Sequence, residues 1–169
     1  MKYIKSINEF WGDVLKRDLL GETREEDKFR SKEQLQEYLK SEIEKQGKNV
    51  VIKNLDVSLI EDLSRLFYNA RANSIGSGIK SLDLSGWKTS NVEDMSYMFS
   101  WCTELESLNL SGWDTSKVRS MTEMFRYCVN LKSLDLSGWD TSNIKDMSWT
   151  FYECSAPYEV VDNKIVKII

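Results

Sequence analysis

A short α/β solenoid is the fold this chain predicts, on three observations. First, three segments recur at a fixed 26-residue offset: Ser81–Cys102 (SLDLSGWKTSNVEDMSYMFSWC), Ser107–Cys128 (SLNLSGWDTSKVRSMTEMFRYC) and Ser133–Cys154 (SLDLSGWDTSNIKDMSWTFYEC). The first and third agree at 15 of 22 positions and the first and second at 13, so the repeat is real. Second, Ser-Leu-x-Leu-Ser alternates with period two, the pattern of a short strand with one apolar face. Third, the apolar residues that follow Thr-Ser in each copy fall at helical spacing. One strand and one helix cannot bury their apolar faces alone. Stacked copies can, with parallel strands on the concave side and helices on the convex side.

The elements follow in order. Residues 1–49 read as an N-terminal helical cap. Ser6 starts a segment to Leu20, closed by Gly21, whose apolar set is Ile7, Phe10, Trp11, Val14, Leu15 and Leu19. Ser31 and Gln34 form a capping box for a second helix, which carries Leu35, Tyr38, Leu39 and Ile43 on one face and ends at Gly47. Residues 50–80 read as a degenerate first repeat and a loop. A shift of 32 aligns Val50 with Leu82, Ile52 with Leu84, Leu55 with Trp87 and Phe67 with Phe99, and Gly76-Ser77-Gly78 marks the loop. Residues 81–158 hold the three full repeats. In each, Ser90, Ser116 or Ser142 is placed to N-cap a short helix; in the first copy its stripe is Val92, Met95, Met98, Phe99 and Cys102. Residues 159–169 read as a hairpin cap, with Val160-Val161 and Ile165–Ile169 flanking Asp162-Asn163-Lys164. Val160 stands 26 residues after Leu134, so the first hairpin strand is expected to continue the sheet.

The spacing Leu105-x-x-Leu108-x-Leu110 resembles the leucine-rich repeat. The fuller pattern, Leu-Ser-Gly-Trp, then Thr-Ser-x-Val and Met-x-x-Met-Phe, is similar to the BspA-type bacterial subfamily over about residues 50–160. That resemblance implies a right-handed, curved solenoid whose usual task is binding another macromolecule, often at a bacterial surface.

Composition narrows the chemistry. The 169 residues contain no His, which removes Ser-His-Asp and Cys-His nucleophiles, His acid–base chemistry and His-ligated metals. Three Cys at equal intervals, Cys102, Cys128 and Cys154, fit neither a disulfide framework nor a zinc site, and read as small core hydrophobes, buried and unreactive. No metal or other cofactor is expected. Residues 1–49 are electrically neutral, and the whole net charge of −4 lies in the repeats. Such a body is a poor nucleic-acid binder and suits a protein partner with a basic surface. The absence of a long apolar run or a secretion-signal pattern points to a cytoplasmic protein that does not enter a membrane, in host cytoplasm if phage-encoded.

Two faces are candidates for that partner. Asp83, Asn109 and Asp135, flanked by Ser85, Ser111 and Ser137, are expected to point outward from the concave sheet. The rival is the helix side, where Tyr97, Trp101, Tyr127, Trp149 and Tyr152 lie off the core stripe. Trp87, Trp113 and Trp139 are read as an inward ladder rather than a stacking site for sugars or bases. The expected function is therefore a non-enzymatic protein-interaction module. Two alternatives are an anti-CRISPR-like inhibitor of a bacterial defence enzyme, encoded by a phage or mobile element, and a fragment of a surface adhesin.

Overall fold

The computed structural model describes residues 28–70, 74–162 and 164–167. The expected helix from Ser6 to Leu20 lies outside them. Helix α1 runs from Lys32 to Gln46; Ser31 accepts a hydrogen bond from the Gln34 amide, and Gly47 closes the helix at φ 72°. The Gln34 side chain accepts from the Arg30 amide rather than from Ser31, so the box closes one residue early. Leu35, Tyr38 and Leu39 are buried, and Ile43 packs beside them.

Strands β1 (Asn49–Val51), β2 (Ser81–Asp83) and β3 (Ser107–Asn109) form a parallel sheet in the order β1-β2-β3. The register pairs Val50 with Leu82 and Leu82 with Leu108, the offsets of 32 and 26 read from the sequence. The central residue of each strand points inward and its neighbours outward, as period-two patterning requires. The third full repeat joins this sheet only through a bridge between Ser107 and Ser133.

The convex side corrects the expected row of helices. Among the described residues α1 is the only α-helix. The segments after Thr-Ser are tandem β-turns instead. In the first full repeat Met98 N bonds Met95 O, Ser100 N bonds Tyr97 O and Cys102 N bonds Phe99 O. Tyr97 and Trp101 stand at the third position of their turns with φ of 59° and 66°, the left-handed value a type II turn needs there. No α-helix tolerates those angles. The alternate amides then point to the next copy: Met95, Tyr97, Phe99 and Trp101 donate to Ser120, Thr122, Met124 and Arg126. The same four bonds link the degenerate repeat to the first full one and the second to the third. Tandem four-residue turns place apolar residues inward at intervals of three and four, which is why their spacing imitates a helix.

Side-chain ladders fill the space between the sheet and this turn column. Trp87, Trp113 and Trp139 stack with ring centroids 5.8 and 6.4 Å apart. Phe67, Phe99, Phe125 and Phe151 stack at 5.4, 5.7 and 5.4 Å. Two of the indoles also reach back one copy: Trp87 Nε1 donates to Ile52 O and Trp113 Nε1 to Leu84 O. The buried Thr89 and Thr115 hydroxyls each bridge the amide and carbonyl of the next copy, at Asp114 and Asp140. Cys102 and Cys128 are buried, with their thiols donating to Phe67 O and Phe99 O, whereas Cys154 is half-buried. Burial pushes the Cys102 thiol up to about 12, and a shared hydrogen bond with Cys154, then burial, pushes Cys128 up as well.

Strands β4 (Tyr158–Val161) and β5 (Lys164–Lys167) form the expected hairpin as a separate antiparallel sheet. The hairpin does not extend the parallel sheet, and Val160 is exposed. Tyr158 takes the place that a next strand would hold. Its hydroxyl donates to Leu134 O and accepts from Leu136 N, and its ring stacks on Phe151 at 5.9 Å. At the other edge the Gln46 amide accepts from Val51 N and donates to Val51 O. Each side chain answers backbone groups that would otherwise template another strand.

Candidate functional site

The polar positions of the sheet face have a structural duty that the sequence reading did not assign. Asp83, Asn109 and Asp135 each turn Oδ1 back to accept the amide two residues on, from Ser85 (3.0 Å), Ser111 (3.1 Å) and Ser137 (3.0 Å). These are Asx-turns that bend the chain out of each strand. The device recurs at the other corners, where Asp94 holds Ser96, Asp114 holds Ser116, Asp140 holds Ser142 and Asp146 holds Ser148. Ser116 and Ser142 are thus turn residues and not helix caps. The Asp-x-Ser spacing is visible in the sequence and is the signal that would have found them.

Electrostatics agree with this role. Burial alone would raise the Asp83 carboxyl, but Lys53, 2.9 Å away, and the bond from Ser85 outweigh it and hold the group below the ordinary carboxylate range. The bonds from Ser116 lower Asp114, and the Ser137 amide lowers Asp135. Asn109, Ser111, Asp135 and Ser137 are exposed, whereas Asp83 and Ser85 are half-buried. The six therefore lie along one side of the stack, yet one oxygen of each acidic or amide side chain is already engaged.

The stack loosens on this side between the second and third full repeats. Leu84 N and Gly86 N donate to Asn109 O and Ser111 O, but their counterparts Leu110 N and Gly112 N have no acceptor among the described residues. Trp139, in step, is half-buried, and its indole lacks the backbone bond its two predecessors make. Grooves of about 410 and 490 Å³ flank it, lined by Trp113, Asp135, Ser137, Tyr158 and Lys167 among others.

The opposite side carries a continuous aromatic strip on the turn column rather than on helices. Trp101 and Tyr127 lie 4.2 Å apart, Tyr127 and Tyr152 5.7 Å, and Tyr152 and Trp149 4.9 Å. Exposure reaches 37% at Trp101, 40% at Tyr152 and 59% at Trp149. Arg126 lies over the rings of Tyr127 and Tyr152, at 4.9 and 5.5 Å, and its guanidinium is held by Glu123 at 2.6 Å. Tyr97 sits one copy earlier, under Arg65 at 4.6 Å and edge-on to Tyr68. Tyr97, Trp101, Tyr127 and Trp149 are all left-handed. The conformation that ends the helical reading is shared by three of the four strip residues, Trp101, Tyr127 and Trp149, and not by Tyr152.

Neither the curated proteins nor the solved structures contain a match to the chain. A family model does match, over residues 33–163, which spans α1, every repeat and the start of the hairpin. The chain belongs to the family described as "Mycoplasma protein of unknown function, DUF285".

Proposed function

We propose that this chain is a non-enzymatic protein-binding module, and that its four stacked coils form a short solenoid of the BspA-type leucine-rich-repeat kind with turns in place of convex helices. The observation that carries this reading is the strip of Trp101, Tyr127, Tyr152 and Trp149, exposed at all but the half-buried Tyr127. Aromatic side chains with polar tips are the residues most enriched at binding hot spots, and a row of them in mutual contact is already ordered before a partner arrives. The strip is favoured over the sheet face because Trp101, Tyr152 and Trp149 expose large aromatic surface, whereas Asp83, Asn109 and Asp135 are engaged in turns. The partner fitted to it is a protein that offers apolar side chains with Lys or Arg beside them. Tyr and Trp faces attract cations, and the repeats hold the whole excess of negative charge.

The test pairs two variant sets in one assay. Trp101→Asn with Tyr127→Asn removes the rings while keeping a residue that tolerates the left-handed conformation. Asp83→Asn with Asp135→Asn removes charge from the sheet face while keeping each turn acceptor. A partner is first captured from cell lysate and purified, and its affinity for each folded variant is measured. The aromatic set should weaken binding by about 30-fold or more, the scale of a hot-spot loss. Unchanged affinity there, with loss in the aspartate set, would move the site to the sheet face.

A further inference from the structure

The aromatic strip runs along the stacking axis of the coils, and that axis sets its spacing. Trp101, Tyr127 and Glu153 are counterparts in the first, second and third full repeats, 26 residues apart. Tyr152 adjoins Glu153 and meets Trp149 edge-on. Coils joined in parallel register lie one strand spacing apart, about 4.8 Å. Trp101 is therefore about 9.5 Å along the axis from the coil that holds Tyr152 and Glu153. Tyr127, between them, is half-buried beneath Arg126. The exposed surface thus consists of two aromatic stations two coils apart, with the exposed Glu153 carboxylate beside the second.

A chain wound as a polyproline II helix repeats on the same scale. It has three residues per turn and rises about 3.1 Å per residue, so residues i and i+3 fall on one face about 9 Å apart. Anchors on an α-helix recur at about 5.4 Å and those on one side of a strand at about 6.6 Å, so neither sets successive anchors on both stations. Hydrogen bonding agrees. Trp101 N already donates to Arg126 O and Tyr127 N to Tyr152 O, which leaves a strand no backbone edge to pair with there. The groups left over are donors. The Trp101 and Trp149 indole N–H groups and the Tyr152 hydroxyl have no acceptor among the described residues. A polyproline II segment has no internal hydrogen bonds and its prolines lack an N–H, so it presents carbonyl acceptors almost alone. Charge agrees as well. Arg126 is neutralised by Glu123 at 2.6 Å, whereas Glu153 has no ion-pair partner among the described residues.

Resting on the strip as the binding surface, we propose that the partner docks there through a proline-rich segment in the polyproline II conformation. One proline lies on Trp101, a second, three residues away, lies in the corner of Tyr152 and Trp149, and a neighbouring Lys or Arg faces Glu153. Such a segment is already extended before it docks and has little chain entropy to lose, which suits a contact only a few residues long.

The test is titration of the isotope-labelled full chain with a synthetic peptide of four Pro-Pro-Arg repeats, followed by nuclear magnetic resonance. The indole N–H signals of Trp101 and Trp149 should shift, while those of Trp87 and Trp113, bonded inside the stack, should hold still. A peptide of four Ala-Ala-Arg repeats carries the same charge without the preformed conformation and should bind about tenfold more weakly. Glu153→Gln should weaken the proline peptide about twofold to fivefold at low salt, the scale of one exposed ion pair, and by less at high salt. Trp101 and Trp149 signals that stay put at millimolar peptide, or equal affinity for the two peptides, would overturn the proposal. The purified partner separates this failure from failure of the strip itself. A partner released by Trp101→Asn with Tyr127→Asn, yet not displaced by saturating proline peptide, would refute the proline-rich occupant and keep the strip. A partner indifferent to that double variant would overturn both.

Discussion

Trp113→Ala is expected to lower the stability of the chain by about 3–5 kcal/mol, the range for deleting a large core aromatic. Trp113 is buried between Trp87 and Trp139, and its indole N–H satisfies Leu84 O one copy back. Truncation therefore opens a cavity, breaks the ring stack in its middle and strands a carbonyl. The third full repeat should suffer most, because its strand holds the sheet by one bridge and Trp139 already lacks an indole bond to the copy before it. Chemical denaturation followed by tryptophan fluorescence and by circular dichroism measures the loss. A change below about 1 kcal/mol would show that the ladder is not a core element.

Phe125→Ala should cost a similar amount, about 3–5 kcal/mol. Phe125 is wholly buried and lies between Phe99 and Phe151 at 5.7 and 5.4 Å, the inner side of the turn column. Its amide joins two copies by donating to Thr150 O, while its carbonyl accepts from Cys128 N within its own coil. Because neighbouring coils stabilise one another, the loss should spread, and hydrogen exchange should quicken at Phe99 and Phe151 as well as at residue 125. Exchange that quickens only at the substituted position would argue against that coupling.

The parallel sheet and its offsets of 32 and 26 were legible because strand alternation and repeat spacing are read directly from residue order. The second helix of the N-terminal cap was legible through Ser31, Gln34 and Gly47 for the same local reason. The convex side was misread because intervals of three and four are common to helices and to tandem turns. Left-handed angles at Tyr97, Trp101, Glu123 and Tyr127 separate the two, and none of these is a glycine that would have announced them. The hairpin was legible as a hairpin, but its pairing partner depended on Tyr158 reaching Leu134 and Leu136, a contact no periodicity encodes. The aromatic residues expected on convex helices lie on the turn column instead. The turn duty of Asp83, Asn109 and Asp135 lay in an Asp-x-Ser spacing that charge arguments passed over.

The central claim is that each coil is closed by turns and joined to the next through alternate amides. Scalar couplings across hydrogen bonds, measured by nuclear magnetic resonance on the isotope-labelled chain, test it most directly. The structure predicts couplings from Tyr97 N to the Thr122 carbonyl carbon, from Phe99 N to that of Met124 and from Glu123 N to that of Ser148. Couplings from Tyr97 N to the Glu93 carbonyl and from Phe99 N to that of Met95, the pattern of an α-helix, would contradict it.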